Sequence, residues 1–174
     1  TFLRPGEIVL FPRRSFVVFG LVTQSAGGVP REVAGRDRDI DVDAILAAIV
    51  PGVRVVFVAN PNNPTGQVVT TPELTDFLER VPPDIVVVLD EAYREFIAGD
   101  DVPDGVELYR RFANVVVLRT CSKAYGLAAL RVGFAIAHAS VAEALRKTAT
   151  PFGVSTIAEE AAIASLLAED ELLE

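Results

Sequence analysis

Cysteine is nearly absent from this chain. Cys121 stands alone among 174 residues, so no internal disulfide can form, and the usage fits a reducing cytoplasm. Histidine is equally scarce. His138 has no second histidine with which to build a triad or a zinc cluster, so it reads as structural and no metal is expected. Lysine is scarce too, with Lys123 and Lys147 set against fourteen arginines. No apolar run reaches the length of a membrane span, and no signal-peptide pattern opens the chain. There is no repeat, low-complexity segment or interdomain linker. A basic excess is also missing. The net charge of −8 disfavours general nucleic-acid binding but leaves room for a local basic pocket that takes an anion.

What is present is a core. Hydrophobic residues make up 51% of the chain and the mean hydropathy is positive, which excludes disorder and fits one globular domain. Short apolar runs alternate with helical patterns. Glu7 to Phe11 and Val29 to Val33 read as short strands. Val55 to Ala59, Ile85 to Leu89 and Val115 to Leu118 are continuously apolar, and Phe134 to Ala137 is a further candidate. Strands apolar on both faces are what a parallel sheet covered by helices requires. Asp41 opens a helix whose Val42, Ile45, Leu46 and Ile49 share one face. Thr71-Pro72 reads as the N-cap and first residue of a helix carrying Leu74, Phe77, Leu78 and Val81. The predicted class is α/β, a three-layer αβα arrangement around a mostly parallel sheet. Both ends read as cut. Residues 1–6 resemble a last helical turn with a Pro-Gly stop, and a helical pattern from Ala158 is still running at Glu174.

Three polar clusters follow the apolar runs. Asn60-Pro61-Asn62-Asn63-Pro64-Thr65-Gly66 follows Ala59, Asp90-Glu91-Ala92-Tyr93 follows Leu89, and Arg119-Thr120-Cys121-Ser122-Lys123 follows Leu118. The carboxyl edge of an open α/β sheet is where ligands bind, and three clusters on one edge weigh more than any one alone. Lys123 is the first candidate for covalent work, because a pocket can turn a lysine amine into a nucleophile; the alternative is an exposed loop lysine. Asp90 reads either as the partner of a protonated ring nitrogen or as a helix N-cap. Tyr93 lies three residues on and can offer its hydroxyl to the same side. Asn63 is either turn chemistry or an amide held over the sheet edge. Thr120, Ser122 and Arg131 combine two hydroxyls and a guanidinium fork, a phosphate-binding set, although an arginine can equally serve a surface ion pair. Phe16 reads as core, with stacking on a ring as the alternative. Glu91 reads as a local cap or pair.

Taken together, these segments resemble the fold-type I pyridoxal-phosphate aminotransferases of class I/II, nearest the histidinol-phosphate and aromatic amino acid branches. The motifs that carry the resemblance are Asn60 to Gly66, Asp90 to Tyr93 with Glu95-Phe96, and Ser122 to Leu127 with Arg131-Val132-Gly133. Phe11 to Phe16 and Pro103-Asp104-Gly105 look more like the aromatic relatives. Two positions depart from the pattern: Ala129 stands where glycine is usual, and Cys121 where an aromatic is common.

The resemblance implies pyridoxal 5'-phosphate as cofactor, linked to Lys123 as a Schiff base, with Lys123 also shuttling the substrate proton. It implies Asp90 on the pyridinium nitrogen, Asn63 and Tyr93 on the ring 3-oxygen, Thr120, Ser122 and Arg131 on the phosphate, and Phe16 stacked on the ring. The implied reaction moves an amino group between an aromatic amino acid or histidinol phosphate and a 2-oxo acid such as 2-oxoglutarate, in a homodimeric cytoplasmic protein with no nucleic-acid or membrane partner. The same resemblance leaves open a decarboxylase or lyase, or the effector domain of a transcription regulator. It makes residues 1–174 the central part of the large domain. An upstream Gly-Ser phosphate loop, a partner-subunit tyrosine and a small domain with a carboxylate-binding arginine lie elsewhere. Alone, the chain is then expected to hold cofactor weakly, to be inactive and to self-associate.

Overall fold

The computed structural model describes residues 2–99 and 101–172. Six strands form one sheet: β1 (Ile8–Pro12), β2 (Val29–Val33), β3 (Val53–Ala59), β4 (Val86–Asp90), β5 (Val115–Thr120) and β6 (Gly133–Ala137). Their order is β2-β1-β3-β4-β5-β6. All neighbours are parallel except β5 and β6, which pair antiparallel. The chain moves outward from β1 to β2 and then reverses to β3. This reversal is the topological switch at which α/β sheets open a crevice beyond their strand ends.

Helices cover both faces, as the continuous apolar strands require. On one face, α2 (Val42–Ala47), α3 (Thr71–Arg80) and α4 (Gly105–Arg111) bury Ile45, Leu74, Phe77 and Leu108 against Leu10, Val56, Val58, Val87, Leu89 and Val117. On the other, α1 (Val18–Ser25) buries Phe19 against Val9, Val55 and Val88, and Val141 of α5 (Ala139–Thr148) packs alongside. Between α1 and α5 an apolar cavity of about 310 Å³ remains, lined by Val55, Phe57, Val88, Val116 and Leu118 among others. Beyond the sheet, α6 (Thr156–Leu167) places Ala158 and Ala162 against Cys121, Tyr125 and Val132. Large apolar side chains stay exposed on α1 (Leu21, Val22) and α6 (Ile157, Ile163, Leu167). Among the described residues, no helix is long and apolar enough to cross a membrane, and no cluster of His, Cys, Asp and Glu is arranged to hold a metal.

Local details correct the sequence reading in three places. The N-cap of α3 is Thr70, not Thr71. The Glu73 carboxylate accepts from the Thr70 backbone N–H at 2.9 Å and from its hydroxyl at 3.0 Å; the first of these is the Glu73 arm of a capping box. Residues 2–4 are not helical. They run to a turn at Pro5-Gly6, and Arg4 N–H donates to Glu7 at 2.7 Å; Thr1 lies outside the described residues. The helical pattern from Ala158 is not one helix. It breaks at Ala168, and α7 (Glu169–Leu172) begins with three acidic residues, which a helix N-terminus favours. Residues 173–174 lie outside the described residues. The Asp41 cap is as expected: its carboxylate accepts from Ala44 N–H at 2.9 Å.

Candidate active site

The loop after β3 is built by two buried asparagines. Asn60 Nδ2 donates to the Val69 carbonyl at 3.0 Å, and Val69 N–H returns to Asn60 Oδ1 at 2.8 Å. Asn62 Nδ2 donates to the Arg14 carbonyl at 2.7 Å and to the Thr65 hydroxyl at 2.8 Å, while its Oδ1 accepts from Ser15 at 2.7 Å. Gly66, at φ +70°, closes the turn with its N–H on the Asn62 carbonyl at 2.7 Å, a conformation glycine adopts without a Cβ penalty. With Asn60 and Asn62 committed to contacts within the loop and with the segment after β1, Asn63 is the amide that faces outward. Its Nδ2 lies 3.5 Å from the Tyr93 hydroxyl, so the two groups converge on one point.

The Ser15–Asn62 bond also locks the segment after β1. Phe16 is thereby held half-buried, its ring edge-on to Phe19 at 5.7 Å. Phe19 in turn stacks on Phe57 at 4.5 Å.

Asp90 ends β4. Its Oδ1 accepts from Ala92 N–H at 3.1 Å, a two-residue turn rather than a helix cap; the short 3-10 turn that follows is capped at Tyr93. Burial pushes the Asp90 carboxyl above its usual range, against the pull of the Ala92 N–H and the Lys123 charge. Among the described residues, Oδ2 accepts no hydrogen bond. A half-buried carboxylate with one oxygen open suits a cationic donor.

After β5 the chain turns sharply. Thr120 Oγ1 accepts from Ser122 N–H at 3.1 Å, and Lys123 Nζ sits 5.0 Å from the centroid of the Tyr93 ring, within cation–π range. Arg131 has φ +55°, ψ +46°, a left-handed conformation uncommon for a non-glycine residue and often retained at functional sites. From there its Nη1 donates to the Ala128 carbonyl at 2.7 Å and lies 3.4 Å from the Ser122 hydroxyl. Below this loop the Tyr125 hydroxyl donates to Glu169 at 2.9 Å. Burial, then Glu169, push its pKa up to about 12.

Phe16, Asn63, Asp90, Tyr93, Thr120, Ser122, Lys123 and Arg131, all singled out from sequence, line one cavity of about 420 Å³. Ala59, Ala92, Leu118 and Ala128 add an apolar lining. The volume falls in the roughly 300–1,000 Å³ range of small-molecule sites. A larger cavity of about 910 Å³ beside β1 and β2 contains Arg14, Arg36 and Arg38. Each of these three is paired with an acid, Asp39, Asp41 and Glu73 respectively; the combination of lysine, carboxylate, hydroxyls and guanidinium lies in the smaller one. His138 is structural as expected: its Nε2 donates to the Tyr109 carbonyl at 2.6 Å.

One feature escaped the sequence reading in its extent. Glu91 is only 4% exposed and joins the half-buried Arg119 and Asp104 and the first turn of α4 in one cluster. Burial raises its carboxyl pKa, opposed by Arg119 and the Gly105 N–H. The available signal was an acid directly after a buried strand and a lone arginine at the end of the next.

Comparison with known proteins agrees with this geometry. The family model for aminotransferase class I and II matches residues 1–174. The chain is 61% identical over 170 residues to an aromatic amino acid aminotransferase of Streptomyces coelicolor, and 59% identical over 170 residues to that of Streptomyces avermitilis. Each match covers 97% of this chain and 47% of the relative. The structure superimposes with TM-score 0.90 and 34% identity on histidinol-phosphate aminotransferase from Sinorhizobium meliloti in complex with pyridoxal-5'-phosphate, covering 98% of this chain and 46% of that one. It matches the aromatic aminotransferase of Pyrococcus horikoshii with TM-score 0.84 and 29% identity, covering 99% and 50%. The chain thus spans about half the length of the curated relatives it matches, and it belongs to the class I and II aminotransferase family.

Proposed function

We propose that the whole protein of which this chain is part transfers an amino group between an aromatic amino acid and a 2-oxo acid such as 2-oxoglutarate, with pyridoxal 5'-phosphate bound in the 420 Å³ cavity. The observation that carries this reading is the donor set of that cavity. One part offers two hydroxyls and a guanidinium, another a half-buried carboxylate with an open oxygen, and a lysine amine faces the same space. This set fits a phosphorylated pyridine aldehyde. The phosphate matches Thr120, Ser122 and Arg131, the ring nitrogen matches Asp90, and the aldehyde matches Lys123. When bound, such a cofactor supplies the electron sink that stabilises a carbanion at the substrate α-carbon.

The chain's own residues then have separable tasks. Asp90 keeps the ring nitrogen protonated by offering its open oxygen to the N–H. Asn63 and Tyr93 hold the ring oxygen from one side. Phe16 excludes water from a ring face. Lys123 would hold the cofactor covalently at rest, and once the substrate amine takes its place the freed Nζ would carry the proton taken from the substrate α-carbon.

Aromatic substrates are favoured over histidinol phosphate because relatives at 59% and 61% identity are named for aromatic amino acids, whereas the histidinol-phosphate enzyme is 34% identical. A homodimer in the cytoplasm is the proposed setting, supported by family membership and by the single cysteine. The whole protein with pyridoxal 5'-phosphate should convert phenylalanine and 2-oxoglutarate faster than histidinol phosphate and 2-oxoglutarate. Release of carbon dioxide or ammonia in place of glutamate would replace transamination by a decarboxylase or lyase reading.

A further inference from the structure

Behind the cavity, across the same sheet edge, lies an ion-pair cluster around the buried Glu91 that the proposed chemistry leaves without a task. Side chains alternate along β4 and β5. Val88 and Val116 pack under α1, whereas Val87, Leu89, Val115 and Val117 pack under α2, α3 and α4. The same alternation gives Asp90 and Thr120 to the cavity and turns Glu91 and the Arg119 guanidinium to the opposite face. There Glu91 Oε2 accepts from Arg119 Nε at 3.0 Å and pairs with its Nη2, also at 3.0 Å. Glu91 Oε1 accepts from Gly105 N–H at 2.7 Å. Arg119 Nη2 reaches Asp104 Oδ1 at 3.2 Å, and Asp104 Oδ2 pairs with Arg94 Nη2 at 3.3 Å. The fit is tight: a Cβ on Gly105 would stand 2.5 Å from Glu91 Oε1.

The cluster's place in the chain is what gives it meaning. The β4–β5 register ends at Asp90 opposite Leu118, and the Glu91 N–H bonds the Leu118 carbonyl at 2.9 Å just beyond it. Glu91 is the peptide neighbour of Asp90, and Arg119 that of Thr120. One ion pair therefore spans the gap between the strand that ends in the ring-nitrogen carboxylate and the strand that leads into the phosphate hydroxyls and Lys123. A buried ion pair is weak evidence for net stability, since desolvation cancels much of its attraction; fixing one arrangement of the backbone is a use such pairs can serve.

We propose that Glu91 and Arg119 are positioning residues for the cofactor: their ion pair sets the separation of β4 and β5 at the cavity and so holds Asp90 in register with Thr120 and Ser122. The inference rests on the cofactor reading above. Neither side chain needs to touch the cofactor. The effect passes through the backbone of its two neighbours.

The test uses the whole protein and three variants: Glu91→Gln, Arg119→Gln and Arg119→Lys. Glu91→Gln keeps an oxygen for the Gly105 N–H, so the start of α4 stays capped while the charge pairing is lost. Pyridoxal 5'-phosphate affinity is read by fluorescence titration, the pH midpoint of the bound-cofactor absorbance change by spectroscopy, and apo stability by thermal unfolding. Both Gln variants should weaken cofactor binding about tenfold or more, the scale of one misplaced charge-assisted hydrogen bond, and shift the absorbance midpoint. Arg119→Lys should recover part of the affinity because it keeps the charge. Glu91→Gln and Arg119→Lys carry the test if Arg119→Gln does not fold. Variants that melt lower yet bind cofactor with wild-type affinity and midpoint would show that the cluster only supports α4, and would overturn the inference alone. A wild type that binds no cofactor would overturn the cofactor reading and this inference together.

Discussion

Asp90→Asn separates what the cavity needs from what the fold prefers. In the apo protein the carboxylate is half-buried with one backbone N–H on Oδ1 and the Lys123 charge as its support. Asparagine keeps the Oδ1 acceptor and removes the partly desolvated charge. Stability of the apo protein should therefore rise, by about 1 kcal/mol, the low end of the cost of an under-satisfied buried polar group. The sign with pH is fixed by the raised carboxyl. An unfolded aspartate titrates near 3.8 and the folded one above it, so the folded state binds the proton more readily. Its contribution to stability is full below the unfolded value and is lost as pH rises through the folded value. Asparagine does not titrate, so the advantage of the variant should grow from acid toward neutral pH in thermal unfolding of the apo form. Cofactor binding should move the other way. Loss of one hydrogen bond to a charged group, about 1.5–3 kcal/mol, corresponds to a dissociation constant roughly 10- to 150-fold weaker at 1.4 kcal/mol per decade. Turnover should fall further than affinity, because the ring loses its protonated nitrogen. A variant with unaltered apo stability across pH and near-normal turnover would refute the reasoning and return Asp90 to a purely local turn.

Three further outcomes follow from particular contacts. Arg131→Ala should erase most of the preference for pyridoxal 5'-phosphate over pyridoxal, a loss of tens-fold in the ratio of their dissociation constants if a charged hydrogen bond of about 1.5–3 kcal/mol goes; an unchanged ratio would place the phosphate elsewhere. Gly105→Ala puts a Cβ 2.5 Å from Glu91 Oε1 and should lower the urea midpoint by an overpacking cost of about 1–3 kcal/mol, whereas an unchanged midpoint would mean Glu91 moves aside freely. Asp41→Ala removes the cap of α2 and should cost about 1 kcal/mol at neutral pH. The Ala44 N–H holds the Asp41 carboxyl below its usual range, so this contribution is present above the unfolded value of 3.8 and lost as pH falls; the gap between variant and wild type should close in acid, and a gap independent of pH would contradict the cap.

The parts of the fold that were legible in sequence are those governed by short-range pattern. Val55 to Ala59, Ile85 to Leu89 and Val115 to Leu118 are apolar on both faces, and this alone marks central parallel strands. The polar residues that follow them then fall on one edge, which is why the cavity-lining set is legible in the sequence. Other features depend on contacts distant in sequence. Nothing local distinguishes Asn62 from Asn63; Asn62 is spent because Arg14 and Ser15, 48 and 47 residues away, reach it. Glu91 and Arg119 are 28 residues apart, so their pairing is visible only once β4 and β5 lie side by side. Helix α1 carries Val18, Phe19, Gly20 and Val22, poor helix formers, and is held by Phe19 stacked on Phe57. The α3 cap falls on the first of two adjacent threonines, Thr70 and Thr71. The deciding residue is Glu73, three positions after Thr70, the spacing of a capping box.

The central claim is that Lys123 carries the cofactor. The direct measurement is borohydride reduction of the whole protein loaded with pyridoxal 5'-phosphate, followed by proteolysis and mass mapping of the reduced adduct. Label on the peptide containing Lys123, and its disappearance in Lys123→Ala together with the bound-cofactor absorbance, is the result the account predicts. Label on Lys147, at the exposed end of α5 and paired with Glu143, or stoichiometric label that persists in Lys123→Ala, would contradict it.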